Sequence, residues 1–289
     1  MLGYMPRRDD LKLPERHLGL IPTIEGVVAE EWLERLIDQV EETLDIDSLV
    51  EIAKTTSAAS SVPELFPDEP LPRRASIAVA MDRAFNFYYQ DPLDLLEAWG
   101  AEIKTFSLLE DEKLPDGIGG VYIGGGFPEL YAAELARNDS MKRSITQAHR
   151  DSVPIYAECG GLMYLGRHLT DLEGVQHDMA GLIPLASSMS NGRLSLGYRE
   201  IEALVDGPLM TKGQRTRGHE FHWSVPTESP RPERAAHQVS SQNGRPEGIR
   251  HGSIWASCIH IHLGSDPSLA RRFIDVCSQL GSTQMTGDR

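Results

Sequence analysis

Residues 153–165, VPIYAECGGLMYL, contain the pattern that decides the fold. An apolar run ends at a single cysteine, Cys159, two glycines follow it, and a helix-like pattern begins directly after them. A strand, a sharp turn and a helix are therefore predicted, with Cys159 at the turn. The positive end of a helix dipole favours a thiolate over a thiol, so Cys159 is a candidate nucleophile. A buried cysteine with only a packing role gives the same short pattern, so a catalytic role for Cys159 needs support from other residues of the chain.

The composition is typical of a globular protein from a reducing compartment. The chain has 289 residues, of which 40 % are hydrophobic and 25 % charged, and its formal net charge is −15. This charge argues against nucleic acid or an anionic membrane as a partner. No apolar run approaches the roughly 20 residues that span a bilayer, and the first residues lack a secretory signal. The three cysteines indicate a cytoplasmic protein rather than a disulfide framework.

Composition divides the chain into four parts. Residues 1–54 contain an amphipathic helix, predicted at about 27–45, and a second short helix after it. Residues 55–75 are rich in serine, threonine and proline and are predicted to be a linker. Residues 76–278 form the predicted main domain, and residues 279–289 a disordered tail.

Strand and helix patterns alternate in the main domain. The predicted strands and helices lie at 77–80, 92–100, 103–106, 120–123, 128–137 and 140–150. This alternation predicts an α/β fold, with a mostly parallel sheet and helices on both faces. Sites in such sheets form at the carboxyl ends of the strands, where both Cys159 and a glycine loop at 124–126 fall. Residues 190–265 read as richer in strand and loop, and within them 224–252 are predicted to be mostly loop.

A nucleophilic cysteine needs a base and donors for an oxyanion. His260 and His262 lie in a strand-like run and are predicted to face the same side. One of them could accept the thiol proton while the other orients it. The backbone N–H of Gly160 is one candidate oxyanion donor, and the loop that contains Gly125 and Gly126 offers another.

Two further motifs resemble known sites without matching them. In GHEFH (218–222) the histidines are three residues apart, not four as in the H-E-x-x-H zinc motif. A metal site of another geometry could still use His219, His222, His260 and His262, so a metal-dependent hydrolase is one alternative. The second motif, GVYIGGG (120–126), is not a P-loop, because the pattern G-x-x-x-x-G-K-[ST] does not occur in the sequence.

Seven segments together resemble the C-terminal part of the cobyrinic acid a,c-diamide synthases, in the cobyrinic/cobyric acid synthase group of class I-type glutamine amidotransferases. They follow the order of that family over nearly the whole chain: LPERHLGL (13–20), IAVAMDRAFNFYY (77–89), YIGGGFPEL (122–130), IYAECGGLMYL (155–165), LGYRE (196–200), RGHEFHWS (217–224) and ASCIHIHL (256–263). The resemblance implies a flavodoxin-like, mostly parallel sheet at 76–278, preceded in residues 1–54 by a short helical remnant of a P-loop synthetase domain.

The resemblance also implies a cysteine-dependent glutaminase that supplies ammonia from glutamine. Cys159 falls on the nucleophile of the family, His260 on its activating histidine, and His262 where other class I glutaminases carry a glutamate. The segment RGHEFHWS is implied to help shape the glutamine pocket. Its candidate pocket residues are Gly218, His219, Glu220 and His222.

In the whole enzyme that the resemblance implies, a P-loop domain uses ATP and Mg²⁺ to activate the a and c carboxylates of a corrinoid, cobyrinate or hydrogenobyrinate, for amidation in cobalamin biosynthesis. We expect no cofactor in this chain itself and a synthetase domain that acts in trans. The family usually has tyrosine at the position of Cys258, a change expected to alter packing more than chemistry. A non-catalytic docking subunit with an amidotransferase fold is the second alternative.

Overall fold

The computed structural model describes residues 1–13, 21, 26, 28–55, 65–190, 192–227, 232–240 and 243–284. The chain divides into two compact units, Met1–Glu64 and Leu65–Arg289. This division falls inside the segment 55–75 that the composition predicts to be a linker. Residues 14–20 of the first segment quoted above lie outside the described residues. The origin of the first unit in a P-loop domain stays a prediction.

The first unit is helical where it is described. A short 3₁₀ turn at Asp9–Leu11 precedes helix α1 (Glu30–Thr43) and helix α2 (Ile46–Lys54). Asp45 caps α2, because its carboxylate accepts a hydrogen bond of 3.0 Å from the backbone N–H of Ser48 at the helix start. The prediction of an amphipathic helix followed by a short one is confirmed.

The second unit contains the sheets and the remaining described helices. Its helices are α3 (Gln90–Ala98), α4 (Ala132–Arg137), α5 (Asp139–Arg150), α6 (Gly160–Leu165) and α7 (Ser268–Gln284). Its strands are β1 (Ala75–Ala80), β2 (Phe85–Phe87), β3 (Ala101–Phe106), β4 (Gly120–Ile123), β5 (Gly125–Gly126), β6 (Ile155–Glu158), β7 (His168–Thr170), β8 (Gln176–Asp178), β9 (Ala186–Ser188), β10 (Ser195–Ala203), β11 (Arg215–His222), β12 (Val225–Pro226), β13 (His237–Val239), β14 (Arg245–Glu247), β15 (Ile249–His251), β16 (Ile254–Ser257) and β17 (Ile259–His260).

The central sheet has the strand order β15–β16–β6–β4–β1–β3. The strands from β16 to β3 run parallel, and β15 pairs antiparallel with β16 at the edge. Counted along the chain, the five parallel strands have the order 2-1-3-4-5, which is that of flavodoxin-like folds. The α/β fold class predicted from the sequence is confirmed.

Helices cover both faces of this sheet because successive side chains of a strand point to opposite sides. Ile77 and Val79 of β1 belong to a buried cluster with Leu96 of α3 and Phe273 of α7. The neighbouring alanines of β1 belong to a second buried cluster, with Met141 of α5 and residues of α6. Among the described helices, none combines the length and the apolar content that crossing a membrane requires.

Three smaller sheets accompany the central one in the described residues. One is antiparallel, in the order β14–β13–β10–β11–β17, another has the order β12–β9–β7–β8, and the third consists of β2 and β5. The loops predicted within 224–252 are present, and the strands β12 to β15 lie between them. These strands are only two or three residues long, β12 and β14 each contain a proline, and partners elsewhere in the chain define them, so no local pattern marks them.

The last described helix extends past residue 278, where the main domain is predicted to end. Helix α7 continues to Gln284, although the polar composition from residue 279 onward predicts disorder. Phe273 and Cys277 are buried and anchor the helix, and each residue added beyond them then gains one backbone hydrogen bond. Residues 285–289 lie outside the described residues.

Gly119 and Gly120 offer a test of the packing of α7 against β4. A Cβ atom on Gly120 would lie 2.3 Å from the sulfur of Cys277. We expect Gly120→Ala to lower the free energy of unfolding by about 1–3 kcal/mol through overpacking, and Cys277→Ala to restore most of that loss. Chemical denaturation of the two single variants, the double variant and the parent chain measures this coupling.

Gly119→Ala is the matched control. Its Cβ atom would lie 2.3 Å from the backbone carbonyl oxygen of Cys277, which truncation of that side chain does not move. Gly119→Ala should therefore stay destabilised when Cys277→Ala is added. Equal rescue of both glycine variants, or rescue of neither, would contradict the packing described.

Candidate active site

Cys159 occupies the turn between β6 and α6. Its backbone has φ 47° and ψ −99°, a conformation that non-glycine residues adopt rarely and at a cost. Hydrogen bonds hold it on both sides, since its N–H donates to the carbonyl of Ser257 at 2.7 Å and its carbonyl accepts from the N–H of Met163 at 3.1 Å. The residue is buried. The strand, turn and helix predicted from residues 153–165 are present as predicted.

Glycine is required after Cys159 because neighbouring backbone approaches closely. A Cβ atom on Gly161 would lie 2.4 Å from the carbonyl oxygen of Ile123. A Cβ atom on Gly160 would lie 3.2 Å from the backbone nitrogen of Gly126. The structure therefore brings the backbone of Gly126 next to that of Gly160, and the role of the two amides as oxyanion donors stays a prediction.

The glycine loop packs under the candidate base. A Cβ atom on Gly125 would lie 2.6 Å from Cε1 of His260, so only glycine leaves room for the imidazole. The N–H of Gly124 is already used, because it donates to the hydroxyl of Tyr88 at 2.7 Å. Gly126 has φ +156°, and a side chain there would meet the carbonyl of Ala84. The loop thus shapes the space around His260 as well as offering backbone donors.

His260 is buried beside Cys159, as the sequence predicts for a base. Its imidazole interacts with the sulfur of Cys159, and its Nδ1 lies 3.4 Å from Oε2 of Glu158. The second separation is longer than a well-formed hydrogen bond, so Glu158 acts on the ring mainly through its charge. Burial opposes the charged ring, but the interactions with Cys159 and Glu158 outweigh it and raise the pKa of His260 to about 10.

Aromatic rings fix the plane of the imidazole. The ring of His219 stacks on that of His260, with centroids 5.0 Å apart and an interplanar angle of 20°, and Phe87 approaches it edge-on at 5.1 Å. Burial, and then the charge of His260, lower the pKa of His219. His219 therefore stays neutral at a pH where His260 is charged, so the two stacked rings do not repel each other.

Glu158 is a site residue that the sequence reasoning missed. It is buried, and it accepts a hydrogen bond of 3.0 Å from the N–H of Ile261 and further bonds from the hydroxyls of Tyr122 and Tyr156. Burial and the charge of Glu158 raise the pKa of both tyrosines, which keeps their hydroxyls protonated as donors. The sequence does contain a signal for this role: Glu158 is an acidic residue at the end of an apolar strand, where acidic residues are rare unless paired.

His262 borders the same cleft as His260, as the strand-like spacing predicts, although β17 itself ends at His260 and a 3₁₀ turn begins at Leu263. Its orienting role stays a prediction. The Nδ1 of His262 accepts the N–H of Gly264 at 3.1 Å, and its ring lies 5.0 Å from that of Tyr89. The carboxylate that faces His260 is that of Glu158.

The structure distributes the RGHEFHWS segment between two cavities. Gly218 and His219 line a cleft of about 750 Å³ that His260 also borders. Glu220 and His222 line a pocket of about 90 Å³ beside Cys258. The candidate pocket residues therefore separate into two pairs. Gly218 and His219 line the cleft that His260 borders, and Glu220 and His222 line the pocket that Cys258 borders.

A buried carboxylate and two arginines form an ion-pair cluster beside the smaller pocket. Glu220 accepts from Nε of Arg199 and from a terminal nitrogen of Arg245, each at 2.6 Å. Burial opposes ionisation of Glu220, but the two guanidinium groups outweigh it and lower its pKa. The pocket is therefore lined by an ionised carboxylate together with the guanidinium of Arg245.

The metal-site alternative finds no support in the part of the chain that the structure describes. There, no group of three or more histidine, cysteine, aspartate or glutamate side chains is arranged to hold an ion. His219 and His260 present their ring faces to each other, and His222 shares a hydrogen bond with the carbonyl of Ser224.

Comparisons with known proteins agree on one family. Residues 76–268 match the profile of the CobB/CobQ-like glutamine amidotransferase domain. Cobyrinate a,c-diamide synthase from Dehalococcoides mccartyi strain CBDB1 is 44 % identical over 282 residues, which cover 96 % of this chain and 61 % of the relative. The enzyme of the same name from Salmonella typhimurium is 39 % identical, covering 95 % of this chain and 60 % of the relative. The chain thus spans about three fifths of the length of these curated relatives.

Solved structures show the same fold at low identity. A glutamine amidotransferase crystal structure gives a TM-score of 0.52 at 17 % identity and covers 70 % of this chain and 98 % of its own. The structure of PurLQS from Thermotoga maritima gives 0.52 at 18 % identity and covers 74 % of this chain and 100 % of its own. Together they place the second unit in the class I amidotransferase fold.

The charge of His260 can be tested by titration. We expect its imidazole to remain protonated at pH 8, where an ordinary histidine with a pKa near 6.5 is neutral. Cys159→Ala should lower this pKa towards the ordinary value, because it removes the interaction with the sulfur that raises it. Long-range ¹H–¹⁵N NMR of the imidazole measures the titration. Cys277→Ala, which changes a buried thiol elsewhere, should leave it unchanged, and a His260 that is neutral at pH 8 in the parent chain would refute the arrangement.

Proposed function

Since the chain belongs to the family of CobB/CobQ-like glutamine amidotransferases, we propose that it hydrolyses glutamine at Cys159 and supplies the ammonia to a ligase reaction. The observation that carries this proposal is the buried pair of Cys159 and His260 at the turn between β6 and α6. A purely structural cysteine needs neither a strained backbone nor an imidazole on its sulfur.

The proposed reaction begins with attack of the Cys159 thiolate on the side-chain carbonyl carbon of glutamine. A bond forms between sulfur and carbon, and the carbonyl electron pair moves to oxygen, where the N–H groups of Gly126 and Gly160 stabilise the oxyanion. The oxyanion collapses to a thioester, and the C–N bond breaks as the nitrogen takes a proton from His260 and leaves as ammonia.

The second half of the proposed reaction releases glutamate. Neutral His260 accepts a proton from water, whose oxygen attacks the thioester carbon, and a second oxyanion forms at the same N–H groups. Its collapse breaks the carbon–sulfur bond and regenerates the thiolate beside the imidazolium. Glu158 keeps the imidazole oriented through its charge and stabilises the protonated ring in each half.

We assign glutamine recognition to the pocket beside Cys258. Ionised Glu220 suits the ammonium group of the substrate, and the guanidinium of Arg245 suits its α-carboxylate. Leu162, one turn along α6 from the nucleophile, lines the same pocket and would contact the aliphatic part of the substrate. Gly218 and His219 then border the wider cleft on the side where ammonia leaves.

The acceptor in this proposal is a corrin precursor with free a and c carboxylates: cobyrinate, as the names of the relatives suggest, or hydrogenobyrinate. Amidation of a carboxylate needs activation, which we assign to ATP and Mg²⁺ on a P-loop synthetase domain. In the first unit, Leu33, Ile37, Val50 and Ile52 each expose roughly half of their side chains. Such an apolar surface suits contact with the rest of a larger domain. The free cysteines agree with a cytoplasmic location.

Substitution of the nucleophile tests the proposal directly. Cys159→Ala should abolish glutamate release from glutamine, measured by a coupled glutamate dehydrogenase assay with a synthetase-domain partner supplied. Loss of the sulfur removes the covalent route, so we expect a fall of at least about 10⁴-fold in kcat.

Cys277→Ala is the control, because that thiol is buried in the core between α7 and β4. It should keep the parental rate. Equal rates for Cys159→Ala and the parent chain would reject Cys159 as the nucleophile.

Arg245 offers a test of the assigned glutamine pocket. Arg245→Met should raise KM for glutamine by roughly 10–100-fold, the loss expected when a charge-assisted bond to a carboxylate is removed, and should change kcat much less. Arg215→Met removes a comparable ion pair, that with Glu202 on an exposed strand surface, and should leave KM unchanged. An unchanged KM in Arg245→Met would exclude this residue from substrate recognition.

A further inference from the structure

The chain passes between two sheets at two places that lie side by side. β14 belongs to the antiparallel sheet and β15 to the central sheet, with Gly248 at φ +68° between them. β16 belongs to the central sheet and β17 to the antiparallel sheet, with Cys258 between them. Strand pairing is interrupted at such crossings, so buried backbone groups there need other partners.

A buried carboxylate supplies those partners. Oε1 of Glu247 accepts the N–H of Cys258 at 2.9 Å, and Oε2 accepts the hydroxyl of Ser257 at 2.8 Å. Oε2 also forms an ion pair with Nε2 of His237, whose ring is fully buried. Burial opposes the charge, but His237 and these hydrogen bonds outweigh it and lower the pKa of Glu247 to about 2. Glu247 is therefore an anion at every pH at which the protein would work.

The groups that Glu247 holds lead to both reacting side chains. The carbonyl of Ser257 accepts the N–H of Cys159 at 2.7 Å, and its hydroxyl oxygen accepts the N–H of Ile259 at 2.8 Å. His260 is the next residue. The two-residue step from Ser257 to Ile259 therefore determines where the nucleophile and the base lie relative to each other.

We propose that Glu247 is a positioning residue that holds the Ser257–Ile259 step and thereby keeps Cys159 within reach of His260. The inference rests on the proposed function of these two residues. Glu247 also borders the pocket assigned to glutamine, so kinetic measurements have to separate a positioning role from a substrate contact. A positioning role lowers kcat, whereas a substrate contact would raise KM.

Glu247→Gln and Ser257→Ala test the proposal, with Glu202→Gln as the control for loss of a carboxylate on the same antiparallel sheet. Two readouts are used: kcat and KM for glutamine, and the rate at which iodoacetamide alkylates Cys159, followed by mass spectrometry of its peptide. For Glu247→Gln we expect kcat and the alkylation rate to fall about 10–100-fold, as for small displacements of reacting groups, with KM within about threefold of the parent. Ser257→Ala should also lower kcat and the alkylation rate, and Glu202→Gln should keep the parental values of both.

Parental kcat and alkylation rate in Glu247→Gln would overturn the proposal, and so would a raised KM with unchanged kcat. If Glu247→Gln fails to fold, Ser257→Ala decides the question, because it keeps the ion pair with His237 and removes only one hydroxyl; a parental rate there overturns the proposal. Alkylation needs no glutamine turnover. A parent chain that does not hydrolyse glutamine, but whose Cys159 alkylation still depends on Glu247, would reject the proposed function and support the positioning role.

Discussion

The backbone conformation of Cys159 is the constraint on which the second unit depends. A non-glycine residue at φ 47° costs of order 1–3 kcal/mol and persists only where the surroundings impose it. Here the N–H of Cys159 is bound by β16 and the following residues are glycines that fit against β4. The parallel sheet therefore has to be complete on both sides of β6 before the thiol can take its position.

Much of this arrangement could be predicted because it follows from local patterns. Each predicted feature occupies a short stretch of sequence: the apolar strands, the turn at Cys159, the glycine loop and the alternation of strand and helix. The strand-like run around His260 likewise made it a candidate base. The short strands within 224–252 could not be predicted, since only pairing with distant segments defines them. Glu158 escaped notice for a related reason. The N–H of Ile261 that it binds lies 103 positions away, and no periodicity links the two.

His260 and His262 border the same cleft, as alternation along a strand predicts, although the strand itself ends at His260. The segment around His260 is held by two buried carboxylates, since Glu247 binds the N–H of Cys258 and Glu158 binds the N–H of Ile261. Buried charges are costly unless paired and hydrogen-bonded, and both carboxylates meet this condition. The precision of the site thus comes from ionic groups at the ends of strands more than from the apolar core.

The placement of Cys159 and His260 on different sheets has a consequence for the growing chain. A ribosome that adds about 5–20 residues per second needs roughly 5–20 s to make the hundred or so residues between them. During this interval the thiol exists without its imidazole, and the antiparallel sheet that brings the imidazole back is still incomplete. In the proposed function, a nascent chain therefore carries an inert sulfur, and reactivity requires that the last strands have joined both sheets.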